Sequence, residues 1–301
     1  MWNDIRFSAR DGVRLYGRRY GAVPGRRPLL CLPSLVGTSG EFDALAKVLA
    51  QNGPDSRTTY TIDCRGRGQS ESGSTSRANA MLCDCEDVLD FMTLTGLEDA
   101  AVIGTGYGGQ LAMVVALLRP HAVGALILNE AAPEFEAEGM VRMMGELASL
   151  PIPATWAEAA SLLKSLHRRR YPQLTDAQWL DYAKTRFAGK DGRPAKNFDP
   201  AIAASFSWSR SGAQHRSLWP QFAAMTRVPM LLLRAEYSDM LGQATVARMR
   251  DLHPGLKEVK FPSQGHPVLL QDAASTSQIA QFLSANEWMG DRSGAPWKAV
   301  A

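Results

Sequence analysis

Over the first 130 residues, short apolar runs alternate with amphipathic stretches. Residues 5–8 and 13–16 flank Asp11-Gly12, a strong turn signal, and predict a hairpin within residues 3–20. Residues 28–32 form an apolar run bounded by Pro33, which predicts a buried strand. Residues 39–50 place Phe42, Leu45, Ala46 and Leu49 on one helical face. A strand over 58–63 follows, then a charged, glycine-rich loop over 65–70. Residues 78–95 predict a helix whose apolar side carries Leu82, Val88, Leu89 and Met92. Val123–Asn129 predicts a further buried strand. Such alternation argues for a largely parallel sheet covered by helices on both faces.

The pattern changes from about residue 133 to 218. Clear strands are missing, and Ala, Arg, Trp and Met are frequent. Helices are expected over 139–148, 155–169 and 175–187, the last with Thr175 as N-cap, and Asp191-Gly192-Arg193-Pro194 reads as a turn. Strand and helix then alternate again: a strand over 229–234, a helix over 245–252, the strand Lys257–Phe261 and a closing helix over 275–283. The expected organisation is an α/β core over 1–133, a helical cap over 134–218, the rest of the core over 219–290 and a tail over 291–301. An independent helical domain fits less well, because the α/β alternation resumes after it.

The densest chemical signal is the stretch from Ala101 to Leu111. An apolar run meets a glycine-rich turn, Gly104-Thr105-Gly106-Tyr107-Gly108, and a helix follows. This is the frame of a nucleophile elbow, Gly-x-Ser-x-Gly, with Gly106 in place of the serine. Glycine tolerates the strained backbone of such a turn. It brings no hydroxyl to attack a carbonyl. The same residues, with Gly109, also fit a loose Gly-x-Gly-x-x-Gly dinucleotide fingerprint. Several strands precede it, however, and the acid near the end of the next strand, Glu130, arrives late for that role.

Composition narrows the setting. The 301 residues carry 33 basic and 30 acidic side chains, a net charge of +3, so the whole chain gives no nucleic-acid signal. The densest basic run, His167-Arg168-Arg169-Arg170, reads as a solvated helix end. Cys31, Cys64, Cys83 and Cys85 form no Cys-x-x-Cys pair and have no neighbouring His, so no metal site is expected. Cys31 and Cys64 read as small buried residues. The first residues lack an apolar signal-peptide core, and no apolar run approaches a membrane span. A cytoplasmic protein is the expectation, with no membrane or nucleic-acid partner and a homo-oligomer left open.

Four segments together carry a family likeness. Leu32-Pro33-Ser34-Leu35 stands where an oxyanion loop would be. Residues 63–70, Asp-Cys-Arg-Gly-Arg-Gly-Gln-Ser, match the pattern Asp-x-Arg-Gly-x-Gly-x-Ser. Residues 104–108 form the elbow. Ser263-Gln264-Gly265-His266 supplies a Gly-His loop before the final helix. In this order and at this spacing the chain resembles the α/β-hydrolase fold, especially capped bacterial esterases and enol-lactonases. Two departures stand out: Gly106 at the nucleophile position, and Ser34 where a glycine is usual.

The resemblance implies His266 as general base and Asp239 as the acid that orients it, with Glu236 as the competing acid in the same loop. The order 106, 239, 266 is the family's order of nucleophile, acid and His. It also implies backbone N–H groups of Leu35 and Tyr107 as an oxyanion hole. Asp63 and Arg65 are expected to brace their loop. Ser34, Trp156, Trp179 and Trp208 are candidate substrate contacts, as are Met143 and Met144, although aromatic and Met side chains at helical spacing more often form core. No cofactor or metal is implied, and the expected partner is a small ester or lactone.

Three readings of Gly106 follow. In the first, the chain is a serine-type ester or lactone hydrolase inactivated by a Ser-to-Gly replacement, able to bind substrate and poor at turning it over. In the second, the glycine is native and a His266–Asp239 base serves lyase, isomerase or cofactor-free oxygenase chemistry. In the third, the chain is a pseudoenzyme that binds a small ligand.

Overall fold

The computed structural model describes residues 1–51, 53, 55–73, 80–205 and 217–287. Trp208 and the expected tail over 291–301 lie outside them.

The core is an eight-stranded sheet: β1 (Trp2–Ser8), β2 (Arg14–Tyr20), β3 (Leu29–Leu32), β4 (Thr59–Asp63), β5 (Ala100–Thr105), β6 (Val123–Asn129), β9 (Met230–Ala235) and β10 (Lys257–Phe261). Their spatial order is β1-β2-β4-β3-β5-β6-β9-β10. The hairpin strands β1 and β2 pair antiparallel, β2 runs antiparallel to β4, and all later pairs are parallel.

The central strands are continuous apolar runs that nevertheless obey the two-residue period. Leu29 and Cys31, Ala101 and Ile103, Ala125 and Ile127, and Leu231 and Leu233 all pack on one face. Their alternates Leu30, Leu32, Val102, Leu126, Leu128, Met230 and Leu232 pack on the other. Successive Cβ atoms point to opposite faces, so a strand covered on both sides must be apolar throughout. Helices α1 (Asp43–Leu49) and α10 (Ala273–Ala285) cover the first face through Leu45, Leu49, Ile279 and Leu283. Helices α2 (Ala80–Thr95), α3 (Tyr107–Leu118), α8 (Trp219–Ala223) and α9 (Gln243–Leu252) cover the second. Cys31 and Cys64 are buried, as expected.

Helix α2 departs from its expected pattern. Leu82 is exposed, whereas Asp84 and Asp87 are buried. The reason lies in the loop after β4. Arg67 Nη1 donates to Asp84 Oδ2 at 3.0 Å, and Arg65 Nη2 donates to Asp87 Oδ1 at 2.7 Å. Arg65 also pairs with Asp11. Asp63 accepts N–H bonds from Ser39 (2.6 Å) and Gln69 (2.8 Å). Two carboxylates thus replace apolar residues on the inner face because two arginines meet them there. Arg67 also donates from Nε to the Leu35 carbonyl at 2.8 Å, which ties this network to the loop after β3. Asp84→Ala is expected to cost about 3–5 kcal/mol, since it strands a buried guanidinium. Urea unfolding measures this, and an unchanged midpoint would refute the role given to the pair.

Between β6 and β9 lie α4 (Ala137–Ser149), α5 (Trp156–His167), α6 (Asp176–Arg186), a small hairpin β7 (Ala188–Lys190) and β8 (Arg193–Ala195), and α7 (Pro200–Ser205). Thr175 caps α6 in a reciprocal capping box with Gln178. The hairpin turns at Asp191-Gly192, both at positive φ. It corrects the expectation of a strandless segment: three-residue strands are too short to show a period.

Candidate active site

The elbow is built where β5 passes directly into α3. Gly106 sits at φ 51°, ψ −111° and its N–H donates to the Asn129 carbonyl at 2.9 Å. Three neighbouring glycines are required by close approach. A Cβ on Gly104 would lie 2.3 Å from the Gly108 carbonyl, one on Gly108 2.2 Å from the Leu32 carbonyl, and one on Gly109 2.3 Å from the Ala131 Cβ. Gly106 differs. Among the described residues its Cβ would meet only His266, at 3.4 Å from Cε1 and 3.5 Å from Nε2. The elbow therefore leaves room for a side chain at Gly106, aimed at the imidazole.

His266 lies beyond β10 with its Nδ1 3.3 Å from Glu130 Oε2. With the proton on Nδ1, the ring donates to this carboxylate and presents Nε2 to the elbow. Glu130 follows the last residue of β6, is fully buried and has φ 52°. Its Oε1 accepts the Ala235 N–H at 2.7 Å and its Oε2 the Ser238 hydroxyl. A bulky residue at positive φ is uncommon and is held only where the surroundings dictate it.

Asp239, expected to orient His266, makes its hydrogen bonds elsewhere. The Arg142 guanidinium grips it through Nε and through Nη2 at 2.9 Å. Burial raises the Asp239 carboxyl, but Arg142, helped by Arg170 and His266, outweighs burial and holds it below the ordinary value. The loop after β9 turns Ser238 toward His266's side, where it accepts N–H bonds from Met240 (3.3 Å) and Leu241 (3.0 Å) and donates to Glu130. Strands β6 and β9 are neighbours, so a carboxylate at the end of either reaches the same region. Glu236, the competing acid, accepts the Ser263 N–H at 2.7 Å.

Asn129 joins three parts of the site. Its carbonyl receives Gly106, and its Nδ2 donates to Thr105 Oγ1 (3.2 Å) and to the Val268 carbonyl (3.0 Å). Neither Asn129 nor Glu130 was singled out as a site residue by motif. The available signal was their place at the carboxyl end of a buried parallel strand, where sites in α/β sheets gather.

Leu35 and Tyr107 are both buried beside the elbow. The Tyr107 hydroxyl donates to Asp84 at 2.9 Å. Ser34 donates to Glu41 from its N–H at 2.9 Å and from its hydroxyl at 2.5 Å, so its side chain is held by Glu41.

A match to the model of the alpha/beta hydrolase fold runs from residue 27 to 273. The chain belongs to the α/β-hydrolase family. A solved alpha/beta hydrolase from Novosphingobium aromaticivorans is 32% identical to it, superposes with a TM-score of 0.85 and matches 94% of this chain and 98% of its own. The 3-hydroxybutyrate-oligomer hydrolase of Cupriavidus necator is 27% identical over 282 residues, 90% of this chain and 93% of that protein. The enol-lactonase from Burkholderia xenovorans shares the fold at 16% identity, with a TM-score of 0.67 over 93% of this chain and all of its own.

In this α/β hydrolase the segment between β6 and β9 reaches the loops that carry Asp239 and His266. Gly139 of α4 packs on Asp239, where a Cβ would lie 2.4 Å from the carbonyl oxygen. Tyr171 donates its hydroxyl to the Pro267 carbonyl at 2.7 Å. Arg170 lies against Gly265 and donates to Glu146 at 2.6 Å. The basic run is therefore only partly solvated: Arg168 and Arg169 are exposed, while His167 is buried and Arg170 half-buried. Trp156 and Trp179 are not at the elbow. Trp179 is buried among Tyr171 and Tyr182 in the segment's own core, and Trp156 packs on the same cluster. Met143 and Met144 pack against the main core. No helix is long and apolar enough to cross a membrane, and no His/Cys/Asp/Glu group could hold a metal ion, among the described residues.

Burial pushes His167 down to about 4, with Arg170, Arg186 and Arg142 adding to the fall and Glu146 opposing it. The unfolded chain binds this proton with a pKa near 6.5. Neutral His167 thus contributes stability that is complete above pH 6.5 and is lost as pH falls toward 4. Between pH 7 and 5 its contribution should fall by about 2 kcal/mol. Urea unfolding at both pH values should show this loss, and His167→Gln should flatten it. Equal pH dependence in both proteins would count against His167 as its source.

Proposed function

We propose that this α/β hydrolase carries the site of a serine-type carboxylic ester or lactone hydrolase in which Gly106 occupies the nucleophile position, an inactivated Ser-to-Gly form that binds substrate and turns it over poorly. One observation supports it most: among the described residues, a Cβ built on Gly106 meets only the His266 ring, at 3.4–3.5 Å. A serine there would stand within reach of Nε2. In this reading His266 removes the serine proton, the hydroxyl adds to the carbonyl, and the alkoxide leaves after taking that proton from His266. Water, activated by His266, then releases the acid. Glu130 takes the orienting role expected of Asp239, because it is the carboxylate on Nδ1.

The N–H groups of Leu35 and Tyr107 serve as the oxyanion hole. The Leu35 N–H has no acceptor among the described residues, and Arg67 holds the same residue's carbonyl. The inserted segment over 134–218 acts as a cap, consistent with its contacts to the Asp239 and His266 loops. The substrate is a small ester, in keeping with the 3-hydroxybutyrate-oligomer hydrolase relative. The setting is cytoplasmic.

A second reading rests on the same gap. With glycine at position 106, a water or an acidic substrate carbon can approach Nε2 directly, and the Glu130–His266 pair can act as a base without covalent catalysis. An assay of the Gly106 chain and its Gly106→Ser variant on short esters and lactones, each with and without His266→Ala, separates the two. Strong His266-dependent hydrolysis only with serine supports the first reading. A serine that adds nothing removes it.

A further inference from the structure

Arg186, the last residue of α6, is set apart from the other half-buried arginines near the site. Arg142 and Arg170 are bound to carboxylates, Arg142 through Asp239 and Glu146, Arg170 through Glu146. The nearest carboxylate oxygen to Arg186 is Glu41 Oε1, at 3.8 Å, beyond hydrogen-bond distance. Both Glu41 oxygens already accept from Ser34. No hydrogen bond of the Arg186 guanidinium occurs among the described residues, although its side chain is only 21% exposed.

Arg186 lines a cavity of about 30 Å³ together with Glu41, Thr105, Asn129, Pro267 and Gln271, with Tyr182, Thr185 and two leucines closing the rest, and also a smaller one beside Leu147 and Phe198. Thr105 precedes Gly106 and Pro267 follows His266, so this space adjoins the elbow. Thr105 is buried, and its Oγ1 accepts from Asn129, which leaves the hydroxyl proton to be donated. A water needs about 10–15 Å³ on this scale. The cavity therefore holds about two water-sized atoms, the size of the two oxygens of a carboxylate. A planar guanidinium with open N–H donors is suited to that group.

We propose that Arg186, with the Thr105 hydroxyl, forms a carboxylate subsite, and that the substrates are esters of short hydroxy acids whose free carboxylate lies a few bonds from the scissile carbonyl. This rests on the ester-hydrolase reading above. Arg186 is a specificity-determining residue: it holds the acid end and leaves the reacting carbonyl at Gly106.

The test uses the unchanged chain, which does not consume its ligand in this reading. Calorimetric titration with 3-acetoxybutyrate and with its methyl ester should show the acid binding at least about tenfold more tightly, the scale of a charge-assisted pair. Arg186→Met should weaken the acid about ten- to a hundredfold and change the methyl ester less than twofold, with Arg186→Lys in between. Equal binding of the two ligands by the unchanged chain overturns the proposal, even if Arg186→Met fails to fold. A preference that survives Arg186→Met also overturns it. The hydrolase reading fails separately. If Gly106→Ser cleaves neither ligand while the Arg186-dependent preference persists, the subsite stands and the ester chemistry falls. If Gly106→Ser cleaves both at equal rates, the chemistry stands and the subsite falls.

Discussion

Gly106→Ser is expected to raise ester hydrolysis by about 10³-fold or more over the unchanged chain, the scale on which serine nucleophiles contribute. The reason is geometric. A Cβ on Gly104, Gly108 or Gly109 would come within 2.5 Å of a neighbouring atom, so the turn is built for glycine at those three positions and not at position 106. The new Cβ enters at van der Waals distance from the His266 ring, which puts the imidazole within reach of a serine hydroxyl. The same substitution should lower stability by about 1–3 kcal/mol, because φ at this position is 51° and a side chain there is strained. Gly106→Ala separates the two effects: it should show the loss of stability in urea unfolding and none of the gain in rate. A serine variant as inactive as the alanine variant, with both folded, would remove the nucleophile position from the argument.

The fold was legible because its strands are buried on both faces. Uninterrupted runs such as Val123–Asn129, bounded by loops, announce parallel strands without any visible alternation. The alternation is present, but both faces need apolar residues, so it emerges only when Ala125 and Ile127 are seen on one side and Leu126 and Leu128 on the other. Helix α2 was legible in extent, and Val88, Leu89 and Met92 of its expected apolar side pack on the core, but Leu82 is exposed. Asp84 and Asp87 look like solvent residues until Arg67 and Arg65 arrive from a loop some twenty residues earlier. The tryptophans illustrate the same limit: aromatic content marks an apolar cluster, but whether the cluster is core or pocket depends on packing, and Trp179 packs inward.

The site was legible as far as local motifs reach. Gly106 and His266 belong to short signatures, and the structure brings them together. The acid has no signature. Chain order pointed to the loop after β9, where Asp239 lies, but order does not tell which neighbouring strand end supplies the carboxylate. Arg142, ninety-seven residues before Asp239, captures that side chain. The positive φ of Glu130, which directs its carboxylate to His266, is a property of the folded backbone alone.

Glu130→Gln in a Gly106→Ser background is therefore expected to lower kcat by about 10³- to 10⁴-fold, the cost of losing the carboxylate that fixes the tautomer and stabilises the imidazolium. The amide keeps the size of the side chain, and its one carbonyl oxygen can still accept from Ala235 while its nitrogen faces the Ser238 oxygen, so the loss should fall on rate more than on folding. Asp239→Asn in the same background should lower kcat less than about tenfold. Its effect runs through Arg142, which would lose a charged partner while keeping Glu146. The Arg142–Asp239 pair joins α4 to the loop after β9, so the expected signature is a lower urea midpoint and a higher KM. If Asp239→Asn is the variant that loses three orders of magnitude and Glu130→Gln keeps its rate, Asp239 is the orienting acid during turnover, and the contact between Glu130 and His266 is structural.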